Sequence, residues 1–276
     1  FIPAALGAGG VQLNIFVDMI LASLLPVGAI SWLYYGDRIT QLPLGVIGIA
    51  LGTALLPHLS RLYAAGKISE IPDVLASAMA VGGFFTIPAA VALIVISPVI
   101  ISGVFGYGAF DQNDINATAA ALMAYAIGLP AFVAQKLFLP AFYASNQPNL
   151  VLKISLASVV LNIFCSLILM RFLGHIGLAL GTSIAIWSAV ILQLIFLCRQ
   201  GLLSLTAFRS LGAFFLASLV MGAGLYASNI WLIRLDLPDF LHLAIIVISG
   251  IIIYLGLARY THFWPAGLIR GRTAIK

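Results

Sequence analysis

The sequence predicts an all-α protein that crosses a membrane about eight times. Three observations lead there: 63% of residues are hydrophobic, only 8% are charged, and the mean hydropathy is +1.16. Soluble domains average about 45–50% apolar and about 25% charged residues. With 13 basic and 8 acidic residues, a chain of 276 residues cannot coat a water-facing surface. Soluble enzymes, nucleic-acid modules and disordered scaffolds are excluded on that ground. The basic pI near 9.4 then reports loop orientation and not an acidic partner.

Apolar runs between charged, Gly/Pro and Asn/Asp punctuation predict spans at 3–25, 28–59, 74–101, 115–144, 150–170, 176–198, 208–229 and 240–260. Each is too long for a strand, and a helix satisfies its own backbone in lipid at about 20 residues. The first span holds Asp18, with Gln12 and Asn14 on the preceding turns. The second carries Arg38 and Pro43, and the fourth Pro130, Lys136 and Pro140. Both run past 25 residues, so kinks are expected at their prolines. In the second, Gly45, Gly48 and Gly52 fall on one predicted face, where a neighbouring backbone can approach. The fifth and sixth place Asn162 and Thr182 inside the membrane, where such residues commonly join helices. Connections 60–73 and 102–114 are too short for a soluble domain. Phe1 opens the chain inside the apolar stretch FIPAALGAGG, so an N-terminal part of the protein is expected to precede it.

Charge fixes the orientation. With eight spans, one side collects Arg61, Lys67, Lys153, Arg199, Arg209, Arg259, Arg270, Arg272 and Lys276, whereas the other has only Arg171 and Arg234. The richer side faces the cytoplasm, so both ends of the chain are expected there. Asp111, Asp114, Asp236 and Asp239 then lie outside. Trp32, Trp231 and Trp264 fall near span ends, as interfacial anchors do, while Trp187 is mid-span.

Charges inside the spans are the informative residues, each costing about 2.5–3.5 kcal/mol at a helix centre on insertion scales. Arg38 lies about ten residues into its span, roughly 15 Å from the outer end and near the midplane. The neighbouring Asp37 points about 100° away and is no automatic ion pair. Either the guanidinium ties helices together, or it meets an anionic substrate in a water-filled cavity; its planar fork suits phosphate. Lys136 either snorkels to the cytoplasmic headgroups or lines the same cavity. Asp18 has three open uses: pairing with Arg38, relaying protons, or coordinating a small cation. Cys165 and Cys198 read as buried apolar residues, and His58, His175, His242 and His262 form no ligand cluster. No nucleophile–base pair or carboxylate pair supports an enzyme, and no metal site is expected.

The stretch SWLYYGDRITQLPLGVIGIALGTALLPHLS, residues 31–60, resembles the signature segment of the bacterial MurJ/MviN lipid II flippases, within the multidrug/oligosaccharidyl-lipid/polysaccharide exporter superfamily. VALIVISPVIISGVFGYGAF, AYAIGLPAFVAQKLFLPAFYASNQPNLVLKIS and GHIGLALGTSIAIW continue the resemblance, which weakens after about residue 205. It implies a fourteen-helix flippase of the bacterial inner membrane. Residues 1–200 would form its second six-helix lobe, helices seven to twelve. Residues 201–276 would form two further C-terminal helices, which border a groove for the polyprenyl tail, and a cytoplasmic tail. Arg38 of YYGDR matches the cavity arginine of the family's YYADR motif, with Gly36 where Ala is commoner. A sodium site in the family implies ion-binding roles for Asp18, Asn162 and Thr182, with Ser158 as a further candidate. Asn162 stands where an aspartate can occur, which removes one charge.

The expected function is therefore outward movement of lipid II, a polyprenyl-pyrophosphate-linked peptidoglycan precursor, by alternating access. Arg38, Asp37 and Lys136 are the expected substrate-binding residues. No cofactor is expected beyond Na+ as a coupling ion, with the membrane potential as driving force. The expected partners are lipid II, membrane lipids and the N-terminal lobe of the same protein. A related multidrug or polysaccharide-lipid exporter is the first alternative; it would favour acidic cavity residues. A non-transporting membrane scaffold is the second, favoured if the other lobe lacks cavity arginines. Topology is directly testable: reporter fusions are expected to place the C-terminus in the cytoplasm and residues 102–114 outside, and the reverse would overturn the map.

Overall fold

The computed structural model describes residues 14–203, 208–235 and 237–261. Among these, every regular element is helical. Helix α1 is described over Asn14–Ser23. The start of the first predicted span, with Gln12, lies outside the described residues, as do Asp236, His262, Trp264, Arg270, Arg272 and Lys276. Seven further helical stretches are long and apolar enough to cross a membrane: Ala29–Ala64, Ile68–Val95, Gln112–Ala144, Pro148–Leu173, His175–Arg199, Ser210–Ile233 and Asp239–Tyr260.

The first of these combines α2 (Ala29–Pro43), a π-helical segment (Leu44–Ile49) and α3 (Ala50–Ala64). Its 36 residues reach about 54 Å, well beyond a bilayer core of about 30 Å, so it outruns its predicted end at 59. Pro43 has no N–H to give to the preceding turn, and the ladder widens just after it. The wider turn changes which glycines face a neighbour. A Cβ at Gly52 would lie 2.8 Å from the Lys136 carbonyl oxygen and one at Gly48 3.5 Å from Lys136 Cγ, whereas nothing lies within 4 Å of Gly45. The expectation that all three share a packing face is corrected on this point.

A second correction concerns the predicted span 74–101. Helix α4 (Ile71–Val95) stops at Ile96, and α5 (Ser97–Phe105) starts anew with Pro98 in its first turn. Proline is favoured there, whereas inside a helix it leaves a carbonyl without its donor and crowds the turn before. The expected loop at 102–114 shrinks accordingly to the stretch between Phe105 and Gln112.

Helix α6 (Gln112–Ala144) is the axle of the bundle. It packs against α2, α3, α4, α5 and α8, and buries Leu122, Ala126, Leu129, Phe138 and Phe142. Apolar residues all round its surface suit such a central place. Its start is fixed by a capping box: the Asp111 side chain accepts from the Asp114 N–H, and the Asp114 side chain from the Asp111 N–H. Trp32 Nε1 also donates to Asp114 Oδ1 at 2.7 Å, tying α2 to this end. Gly36 lets α2 come close, since a Cβ there would sit 3.1 Å from the Leu122 nitrogen. An alanine would make the helices yield by a few tenths of an ångström.

Helices α7 (Pro148–Leu173) and α8 (His175–Arg199) form a tight antiparallel pair turning at Gly174, whose φ of 57° favours glycine. Gly177 and Gly181 of α8 face the α7 backbone at Leu169 and Ser166. On its other side α8 reaches α6 with polar side chains: Ser183 Oγ donates to the Ala124 carbonyl at 2.7 Å, and Trp187 Nε1 to that of Ile127 at 2.9 Å. Mid-span Trp187 is thus a helix tie and not an interfacial anchor.

Helices α9 (Arg209–Ile233) and α10 (Asp239–Tyr260) pack on α4 and α5. Pro88 of α4 cannot donate to the Phe84 carbonyl four residues earlier. The Tyr254 hydroxyl of α10 donates to that carbonyl instead, at 2.8 Å, and the Phe84 ring meets Phe214 of α9 edge-on at 5.6 Å. Tyr254→Phe is therefore expected to destabilise the folded protein by about 1–2 kcal/mol. The same change at exposed Tyr226 should cost almost nothing in a thermal-unfolding comparison.

Candidate functional site

Two polar clusters stand out against this apolar frame. The first lies on α2. Arg38 is exposed, nine residues after Ala29 and so about 14 Å along the helix. Its guanidinium carbon lies 4.7 Å from the centre of the Tyr34 ring, one turn earlier. Nη1 donates to Gln41 Oε1 at 3.3 Å, and Gln41 Nε2 donates to Asp37 Oδ2. Among the described residues Arg38 forms no ion pair, and the pair with Asp18 that the sequence left open is not made. A glutamine thus stands between the two charges that the sequence places side by side.

Lys136 does not join this cluster. Its stem lies against Gly48 and its backbone against Gly52. Gly48 is ten residues, about 15 Å, beyond Arg38 on the same helix. Pro140 explains the backbone contact, because it leaves the Lys136 carbonyl without its helical donor and glycine lets another helix reach it. Lys136 is half-buried and has no carboxylate partner among the described residues.

The second cluster gathers three helices. Asn162 Nδ2 of α7 donates to Thr182 Oγ1 of α8 at 3.1 Å. Thr182 Oγ1 lies 3.1 Å from Asp18 Oδ2 of α1 and 3.2 Å from the Leu178 carbonyl, so its single proton serves one of the two. Residues far apart in sequence meet here. Ser158 stays outside, because its Oγ donates to the Ala185 carbonyl at 2.9 Å. Among the described residues several oxygens have no donor: Asp18 Oδ1, Asn162 Oδ1, Asn14 Oδ1 one turn before Asp18, and Ser166 Oγ one turn after Asn162. Buried oxygens in excess of donors are the ligand chemistry of a hard cation. The residues present therefore fit a small cation. The donor set is oxygen alone, with no sulfur or imidazole in it, which suits a hard cation and not a soft one.

Gln41 and Ser166 were not among the sequence candidates. Gln41 was findable, being four residues from Asp37 and three from Arg38, the spacings at which helical side chains meet. Ser166 carried no such signal, because serines in membrane helices commonly bond their own backbone.

The sequence model of the family described as "Lipid II flippase MurJ" matches residues 1–259. The chain is 40% identical over 185 residues to a probable lipid II flippase MurJ of Rickettsia prowazekii, covering 67% of this chain and 36% of that protein. It is 36% identical over 233 residues to one of Rhizobium tropici, covering 83% of this chain and 44% of the relative. A solved lipid II flippase MurJ in an inward closed conformation superposes with a TM-score of 0.76 at 28% identity, over 91% of this chain and 51% of that one. An outward-facing multidrug resistance transporter of the MATE family shares the fold at a TM-score of 0.60 and 14% identity, over 94% of this chain and 63% of that one. The chain spans about half the length, or less, of the flippases it matches. With seven helices among the described residues long and apolar enough to cross a membrane, and with bacterial relatives, it is a multi-pass bacterial membrane protein. The match over residues 1–259 places the chain in the lipid II flippase MurJ family.

Proposed function

We propose that this chain works as part of a flippase that moves lipid II from the inner to the outer leaflet of the bacterial inner membrane by alternating access. Residues 1–200 are its second six-helix lobe and residues 201–276 carry the two added helices. An N-terminal lobe closes the cavity, and the C-terminus lies in the cytoplasm. The observation that carries this reading is Arg38: a guanidinium on an exposed face of a membrane helix, with no ion pair among the described residues. Such a charge is costly in lipid unless water or an anion meets it. The pyrophosphate of a lipid-linked precursor is an anion that a planar fork binds in two-point fashion. Asp37 belongs to the same polar cluster, and Lys136 adds positive charge nearer the cytoplasmic end.

A small cation, Na+ in this reading, is held by Asp18, Asn162 and Thr182. When bound it would supply positive charge to the excess oxygens that Asp18 and Asn162 present. The chain's own groups set its strength: one carboxylate and neutral oxygens make a weaker, more reversible site than two carboxylates would. The membrane potential then favours inward movement of the positive charge.

In the full-length protein, Arg38→Ala is expected to abolish outward movement of lipid II while membrane abundance stays normal. Arg38→Lys is expected to fall between, because charge is kept but the fork is lost. A flipping or complementation assay with protein quantification decides, and full activity of Arg38→Ala at normal abundance would sink the reading. For the cation, Asp18→Asn is expected to remove Na+-dependent protection against thermal unfolding without lowering the Na+-free midpoint. An unchanged Na+ response would leave Asp18 a packing residue.

A further inference from the structure

We propose that Gln41 and Tyr34 are positioning residues that keep the Arg38 guanidinium open for an anion, with Gln41 preventing it from closing onto Asp37. This rests on the reading of Arg38 as the anion contact. Asp37 and Arg38 are chain neighbours, one half-buried and one exposed on a membrane helix. Opposite charges attract several-fold more strongly at low dielectric than in water. A closed pair between them would spend the donors that an anion needs. Gln41 occupies a place on the helix that meets both, four residues after Asp37 and three after Arg38. Its amide is used at both ends: Nε2 donates to Asp37 Oδ2 and Oε1 accepts from Arg38 Nη1 at 3.3 Å. A side chain with only donors or only acceptors cannot do this.

Tyr34 holds the other side. Its ring centre is 4.7 Å from the guanidinium carbon, and the ring is itself set edge-on against Tyr35 at 5.7 Å. Tyr35 in turn packs on Phe105 of α5 at 4.7 Å, so the platform is braced by a neighbouring helix. The guanidinium is therefore held between a ring at i−4 and an amide at i+3. One of its five N–H donors is spent on Gln41. Among the described residues the remainder have no acceptor and can meet a phosphate-type anion in a fixed plane, which lowers the ordering cost of binding.

The test uses full-length protein in nanodiscs and a water-soluble short-chain prenyl pyrophosphate as the probe, with dissociation constants measured by titration. Gln41→Met keeps length and helix propensity but removes both polar groups. It is expected to weaken binding about five-fold, the scale of one competing ion pair. Asp37→Asn removes the competitor, so in that background adding Gln41→Met is expected to change binding by less than about two-fold. Tyr34→Phe is expected to bind like the wild type, and Tyr34→Leu about three-fold more weakly. Thermal midpoints are expected to be unchanged, and Gln41→Ala provides the same comparison if the Met variant does not accumulate. Unchanged binding by Gln41→Met, or the same weakening by Gln41→Met in the Asp37→Asn background, would overturn the proposal for Gln41. Equal binding by Tyr34→Leu and wild type would overturn it for Tyr34. Wild-type binding by Arg38→Ala would instead overturn the anion reading beneath both.

Discussion

Lipid supplies no hydrogen bonds, and this one constraint shapes most of the molecule. Backbone groups satisfy themselves in helices, so each proline opens a debt elsewhere. Pro88 frees the Phe84 carbonyl, and Tyr254 comes from another helix to meet it. Pro140 frees the Lys136 carbonyl, and Gly52 lets a neighbouring helix close over it. Pro43 is followed by a widened turn, which redirects the glycines beyond it. Proline positions thus set where helices must touch, and small residues set how closely they can.

Against that background the polar side chains sort into two kinds. Ser183, Trp187 and Ser158 each donate to a carbonyl of a neighbouring helix and are fully explained by packing. Arg38 and the Asp18–Thr182–Asn162 cluster are not explained that way. Arg38 has donors to spare, and the cluster has acceptor oxygens to spare. The two surpluses have opposite sign and suit ligands of opposite charge.

Much of this was legible in the sequence. Composition alone fixed the membrane class, and runs of apolar residues located the spans to within a few positions for α7, α8 and α10. Asp18, Asn162 and Thr182 stood out because polar residues inside apolar runs are rare, and the structure brings them within hydrogen-bond distance. Three things were not legible. The break at Ile96 lay inside an unbroken apolar run, where only Pro98 marked it. The π-helical turn changed the helix period, so a face drawn at 3.6 residues per turn misassigned Gly45. The sequence leaves Lys136 between snorkelling and lining the Arg38 cavity, and its place against Gly48 and Gly52 could not be counted from one end of a helix longer than the bilayer. Gln41, by contrast, was within reach of the sequence through its helical spacing from Asp37 and Arg38.

The central claim is that the face of α2 bearing Arg38 meets water and not lipid. Thiol accessibility tests it directly, in full-length protein with Cys165 and Cys198 replaced by alanine. Cysteine at position 38 or 41 should react with a small water-soluble maleimide at a rate well above that of cysteine at Leu216 or Ile248, which are exposed on α9 and α10. Pre-incubation with lipid II should slow the reaction at 41, where Arg38 is retained, and leave 216 and 248 unchanged. If cysteine at 38 were as inert as cysteine at 216 and 248, Arg38 would face hydrocarbon, and the account of this site would be wrong.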